Sequence, residues 1–266
     1  MIGTLTVRVL DHGVHSGMAG AVVPSSFAVA RLLLDRIEDP ATGDLRLPEL
    51  RVDPPPTAVA GARALAAALA EAGTETTPFP VVDSLVLQGA DRSEQALRTA
   101  WSGSLAVVGA GGLPPVEDAG MVLRPFTSLR LSIRLPPTCD AAVAADAVHR
   151  VLTTDPPHGA VVDWSDGDAV GGWVAPPLRP WLAAALDVAS LACFGKPSGE
   201  VGEGGSIPFM GWLAAKFPEA QLLATGVLGP GSNAHGPNES LHIPTAERVT
   251  ASLAMVLDAH ARRPPH

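Results

Sequence analysis

Two stretches of strict alternation constrain this chain more than anything else in it. Thr4 to Leu10 reads Thr-Leu-Thr-Val-Arg-Val-Leu, and Ser128 to Leu135 reads Ser-Leu-Arg-Leu-Ser-Ile-Arg-Leu. A period of two sends successive side chains to opposite faces, so each stretch predicts a strand with one face buried and one open.

The segments between and around them supply the rest of a sheet and its cover. Pro24-Ser25-Ser26 caps a predicted helix whose face is Val29, Leu32, Leu33 and Ile37. Ser104 to Val108 reads as a strand, Asp140 to Leu152 as a helix, and Gly159 to Trp164 as a last strand. The order is then βαββαβ, a split-βαβ antiparallel sheet with two helices on one face. Residues 39–103 interrupt it with a proline-rich crossing and two helices, near Ala58 to Ala72 and Ser93 to Trp101, and are read as an insertion packed on the domain. A boundary falls at Asp166 to Gly172. Beyond it, a helix from Pro180 to Phe194 stops at Gly195, Ser206 caps a short helix with Pro208 in its first turn, Gln221 to Thr225 reads as a strand, and Thr245 to Ala261 is a helix with Val249, Leu253 and Val256 in register. Alternating strand and helix give an α/β pattern, but one clear strand makes an incomplete sheet. The predicted class is α/β, with an α+β first domain over 1–168 and a partial α/β second domain over 169–266.

Composition excludes several functions. The net charge is −9, with no cluster of Lys and Arg to offset it, which argues against a nucleic-acid or anionic-membrane surface. No run of eighteen apolar residues and no signal-like leader is present. Cys139 and Cys193 lack metal-type spacing and fit a reducing cytoplasm.

Four segments carry candidate chemistry. Gly202-Glu203-Gly204-Gly205-Ser206-Ile207-Pro208 sets small residues before a helix, where backbone N–H groups and a hydroxyl suit a carboxylate; read alone, it is equally an ordinary N-cap. Asn233-Ala234-His235-Gly236-Pro237-Asn238-Glu239 isolates one histidine between the two asparagines of the chain, as a ligand or as a surface turn. His15, in Val14-His15-Ser16-Gly17, follows the first strand. Arg134 ends the second alternating strand, as a solvent-facing arginine or a carboxylate clamp. The chain holds no His-x-Asp, no Glu-Glu pair and no HExxH, so one histidine is left without the co-ligands that a catalytic zinc needs.

Taken together, these segments resemble the dizinc exopeptidase superfamily, which contains carnosinase-like dipeptidases, aminoacylases and glutamate carboxypeptidases. The resemblance implies that residues 1–168 are the family's lid, or dimerisation, domain and that 169–266 are the returning part of its metallopeptidase catalytic domain. It implies that His15 reaches a partner subunit's site and polarises the scissile carbonyl, that Arg134, Gly204, Gly205 and Ser206 bind the substrate's carboxylate, and that His235 is a zinc ligand. A small peptide or N-acyl amino acid is the implied substrate, two zinc ions the implied cofactor, and a homodimer through the lid the implied assembly. The His-x-Asp motif, the bridging Asp and the Glu-Glu pair with its general base precede the lid in the family and have no counterpart here. The expectation is therefore a truncated or split member, a peptide- or amide-bond hydrolase in its complete form and inactive by itself. A non-catalytic dimerisation or regulatory module is the alternative.

Overall fold

The computed structural model describes residues 1–73, 79–203, 208–227 and 232–264. In chain order the elements are β1 (Ile2–Arg8), β2 (Val14–His15), α1 (Ser16–Ala19), α2 (Ser26–Leu34), α3 (Pro56–Glu71), α4 (Arg92–Trp101), β3 (Ser104–Gly111), β4 (Val122–Leu123), β5 (Phe126–Arg134), α5 (Ala141–Thr153), β6 (Val161–Asp168), α6 (Pro180–Phe194), α7 (Pro208–Lys216) and α8 (Ile243–Ala261). They fall into two compact units. One comprises Met1–Val59, Gln88–Val174 and Gly202–Pro208; the other comprises Ala60–Leu87, Ala175–Val201 and Phe209–His266.

The first unit is built on a four-stranded sheet of order β3-β5-β1-β6, with every neighbouring pair antiparallel. This is the split-βαβ order that the alternating stretches predict. Leu5 and Val7 of β1 and Leu129, Leu131 and Ile133 of β5 point to one face. There they meet Val29, Ala30 and Leu33 of α2 and Ala144, Ala147, Val148 and Leu152 of α5 in one buried cluster. The other face carries the alternate residues, Thr4, Thr6, Ser128, Arg130 and Ser132, all partly open to solvent.

Two details of α2 depart from expectation. Leu32 is exposed, because it lies about 100° around the helix from Leu33 and off the stripe formed by Val29, Leu33 and Ile37. Ser25 occupies the N-cap position without making a side-chain cap, while the hydroxyl of Ser26 shares a buried 2.8 Å hydrogen bond with Thr127 of β5. That bond ties helix to sheet through two hydroxyls that would each be costly to bury alone. Asp140 does cap α5, accepting from the amides of Ala142 and Val143.

Trp164 of β6 closes the end of this core. Its ring lies directly over Gly3 of β1 and against Gly167, in the space a side chain at either position would need. Overpacking of this kind costs about 1–3 kcal/mol. Gly3→Val is therefore expected to lower the unfolding free energy measured by urea titration by about 1–3 kcal/mol, whereas the same change at Gly61, where no atom lies within 4 Å of an added Cβ, is expected to lack this overpacking cost.

The second unit is helical among its described residues. Leu182 and Ala189 of α6 pack against Val256 of α8 as a small core. α6 ends as predicted, at Gly195, whose left-handed φ of 72° lets its N–H reach the carbonyl of Leu191. The strand expected at Gln221 to Thr225 is absent: residues 221–227 belong to no ladder. A strand exists only through a hydrogen-bonded neighbour, and the described residues of this unit include none. Gln221 instead accepts from the amide of Arg179 at 2.6 Å. No helix among the described residues is long and apolar enough to cross a membrane.

A clasp follows α6. Asp187 Oδ1 accepts from the hydroxyl of Ser198 at 2.6 Å and from its amide at 3.0 Å. The hydroxyl bond first, and then the amide bond, hold the Asp187 carboxyl below the ordinary aspartate range. A depressed folded-state value means that the clasp contributes above the ordinary range and is lost as pH falls through the lowered value. The Ser198 amide proton shift is expected to hold through the ordinary aspartate range, about pH 3.9, and to change only at lower pH, and Asp187→Asn to remove that titration.

Candidate functional site

His15 is presented by a two-stranded ribbon. Arg8 ends β1, the chain crosses Pro125 with hydrogen bonds from Val9 and Leu10 to its carbonyl, and β2 then pairs with β4, Val14 opposite Leu123 and His15 opposite Val122. The amide of Ser16 donates to the carbonyl of Met121 at 2.9 Å. His15 stands at the N-cap of α1, and its Nδ1 accepts from the amide of Gly17 at 3.2 Å. The imidazole is exposed. Met18 on the turn and Met121 at the start of the ribbon are 84% and 77% exposed.

Arg134 is the last residue of β5, opposite Ser104 of β3, and is exposed. Among the described residues it makes no ion pair or side-chain hydrogen bond. Arg130, four residues earlier and so on the same face, is held: its Nη1 donates to Thr4 Oγ1 at 2.8 Å and lies 3.3 Å from Asp166 Oδ2. The sequence reading passed over Arg130, although the same alternation that selected Arg134 puts both arginines on the open face. β5 alone spans eight steps of about 3.3 Å, roughly 26 Å. His15, beyond the Phe126 end, and Arg134, at the other end, are therefore not brought together in one copy of the chain.

His235 belongs to the second unit. It lies in a turn closed on itself: Asn233 Nδ2 donates to the carbonyl of Pro237 at 2.7 Å, Gly236 N–H to the carbonyl of Asn233 at 2.9 Å, and His235 N–H to Glu239 Oε2 at 3.2 Å. Asn233, His235 and Asn238 all have positive φ, of 53°, 61° and 58°. Asparagine and histidine are the side chains that most often adopt this left-handed region, and each residue held there costs of order 1 kcal/mol. The side chain is exposed.

Gly204, Gly205 and Ser206 lie outside the described residues. The preceding Gly202 passes so close to α4 that an added Cβ would come within 2.5 Å of the Ala100 Cβ. Neither of two grooves in the chain, about 410 Å³ beside Arg36 and Arg150 and about 320 Å³ beside Trp181 and His260, is lined by any predicted site residue. Cys139 and Cys193 are free thiols. Burial pushes the Cys139 thiol up, away from the thiolate that a nucleophile needs.

Zinc requires three or more protein ligands at a catalytic centre. Among the described residues no group of three His, Cys, Asp or Glu side chains could hold a metal ion. His235, with Glu239 engaged on its own backbone amide, does not by itself fit a dizinc centre.

No family model matches the chain. A cysteinylglycine-S-conjugate dipeptidase of Corynebacterium striatum is 29% identical over 177 residues, which are 66% of this chain and 39% of that protein. Among solved structures, the dipeptidase Dug1p of Saccharomyces cerevisiae matches with a TM-score of 0.71 at 19% identity, over 99% of this chain and 55% of that one. Human carnosine dipeptidase 1 matches at 0.69 and 17%, over 98% and 55%, and the M20 family metallo-carboxypeptidase Sso-CP2 of Sulfolobus solfataricus at 0.68 and 14%, over 98% and 59%. The chain thus spans little more than half the length of those solved chains and less than half of the sequence relative. Its fold is that of M20 peptidases, and the resemblance to dizinc exopeptidases drawn from the sequence is borne out.

Proposed function

We propose that this chain, whose relatives and fold neighbours are dipeptidases and an M20 carboxypeptidase, is part of a dipeptidase-like, metal-dependent hydrolase of peptide or amide bonds. On this reading it contributes the lid and the substrate-carboxylate site, with residues 1–168 as lid and 169–266 as part of the catalytic domain. The substrate is a small peptide or an N-acyl amino acid. Zinc is the metal that the family likeness implies. Its remaining ligands and the general base come from outside the residues described, in the same polypeptide or on a second one, and the location is cytoplasmic.

The observation that carries the reading is the separation of His15 from Arg134. An extended dipeptide is about 7 Å long, far shorter than β5. A substrate gripped at its carboxylate by Arg134, with Gly204, Gly205 and Ser206 as further donors, can meet a His15 only from a second copy. This supports a homodimer through the lid, in which each His15 polarises a carbonyl held by the other subunit. His235 is assigned to the metal, and its strained turn supports a position fixed for function. A dimerisation or regulatory module without catalysis is the second reading; it is favoured by the concentration of buried core in the first unit.

Hydrolysis of dipeptides in the presence of zinc tests this, measured on the chain alone and after mixing with a separately expressed segment that completes a dizinc exopeptidase fold. Expected are fewer than two zinc ions per chain and no turnover alone, and turnover in the mixture that falls roughly 100- to 1,000-fold in kcat with His15→Ala. Two zinc ions and unaided turnover would overturn the partial-enzyme reading. Absence of turnover in the completed assembly would overturn the hydrolase.

A further inference from the structure

We propose that Gly17 fixes the tautomer of His15, holding the neutral imidazole with its proton on Nε2 so that the ring meets a substrate carbonyl as a hydrogen-bond donor. The inference rests on the reading of His15 as the carbonyl-polarising group, and adds to it the residue that sets which nitrogen acts.

The first support is the hydrogen bond. The amide of Gly17 donates to His15 Nδ1 at 3.2 Å. A ring nitrogen that accepts presents its lone pair, so in the neutral imidazole the proton resides on the other nitrogen, Nε2. Among the described residues Nε2 has no hydrogen-bond partner, and the side chain is exposed. The Nε2 donor is therefore left unengaged among the described residues. A neutral N–H donor can stabilise a developing oxyanion without a change in its own protonation state.

The second support is steric and independent of the first. A Cβ built on Gly17 would stand 3.0 Å from His15 Cε1 and 3.2 Å from Nδ1. Both atoms lie on one edge of the ring, the edge that accepts the amide. The imidazole thus rests against the bare Cα of Gly17, and a Cβ there requires the ring to give by a few tenths of an ångström on the edge that accepts the N–H. The glycine is not required by backbone conformation, since Gly17 is not among the residues with positive φ. Nor does helix preference explain it, because alanine is favoured over glycine within a helical turn. What remains is the contact with His15.

The test is a long-range proton–nitrogen correlation spectrum of the full 266-residue chain, labelled with nitrogen-15 in histidine and recorded at about pH 9, where imidazole is neutral. The His15 signals are identified by their loss in His15→Gln. Expected is an acceptor-type Nδ1 and a protonated-type Nε2 for His15. Gly17→Ala is expected to move both nitrogens toward the averaged pattern of free imidazole, with the melting temperature and the other histidines unchanged; Met18→Ala, in the same turn, is expected to leave the pattern intact. An averaged or Nδ1-protonated ring in the native chain overturns the proposal. So does a pattern that Gly17→Ala fails to move, or that Met18→Ala moves equally. The readout does not depend on hydrolysis. A locked tautomer without turnover in the completed assembly would sink the enzyme and leave the role of Gly17 standing, and an averaged tautomer with turnover would do the reverse.

Discussion

The register of β1 against β5 is the constraint from which the rest of the first unit follows. Seven consecutive pairs run from Ile2 opposite Ser132 to Arg8 opposite Phe126. A slip of β1 by one residue would turn Leu5 and Val7 out of the core and put Thr4 and Thr6 into it, against the unmoved Leu129 and Leu131 of β5, so this register is fixed by burial rather than by any single hydrogen bond. Once it is fixed, the open face of β5 must carry Arg130 and Arg134. The chain leaving Arg8 must also turn into the ribbon beside Val122, which places His15 beyond the opposite end. One ladder thus keeps His15 and Arg134 apart within a single copy.

The second unit obeys a different rule. Its helices are apolar on more than one side: α6 buries Leu182 and Ala189 yet exposes Val188 and Leu191, and α8 buries Val256 yet exposes Leu253 and Leu257. Over the fifteen residues of α6 the only charged side chain is Asp187, the pattern of a helix covered on several sides. The missing ladder at 221–227 belongs to the same pattern, since an extended segment without a neighbour cannot form a strand.

Much of this was legible in the residues themselves. Alternation marks β1 and β5 and their faces, because period two has one structural meaning when every second residue is Leu, Val or Ile. Gly195 marked the end of α6 for a reason that needs no tertiary contact. What the sequence could not carry were properties of pairs. Leu32 reads as core until the stripe of Val29, Leu33 and Ile37 is seen to exclude it; Ser26 reads as a cap until Thr127 is found opposite; and Gln221 to Thr225 reads as a strand although nothing pairs with it. In the candidate site, the resemblance picked out His15, Arg134 and His235. The grip of Gly17 on His15 and the anchoring of Arg130 by Thr4 and Asp166 became visible only in three dimensions.

The central claim, that His15 of one copy serves the Arg134 of another, is tested most directly by a distance between copies. Spin labels are placed on His15→Cys in one population and on Arg134→Cys in another, with Cys139 and Cys193 replaced by serine, and the two populations are mixed. The account predicts dipolar coupling between the separately labelled chains, at a distance shorter than that within a single chain carrying both labels. No coupling between mixed chains, or an intermolecular distance longer than the intramolecular one, would contradict it.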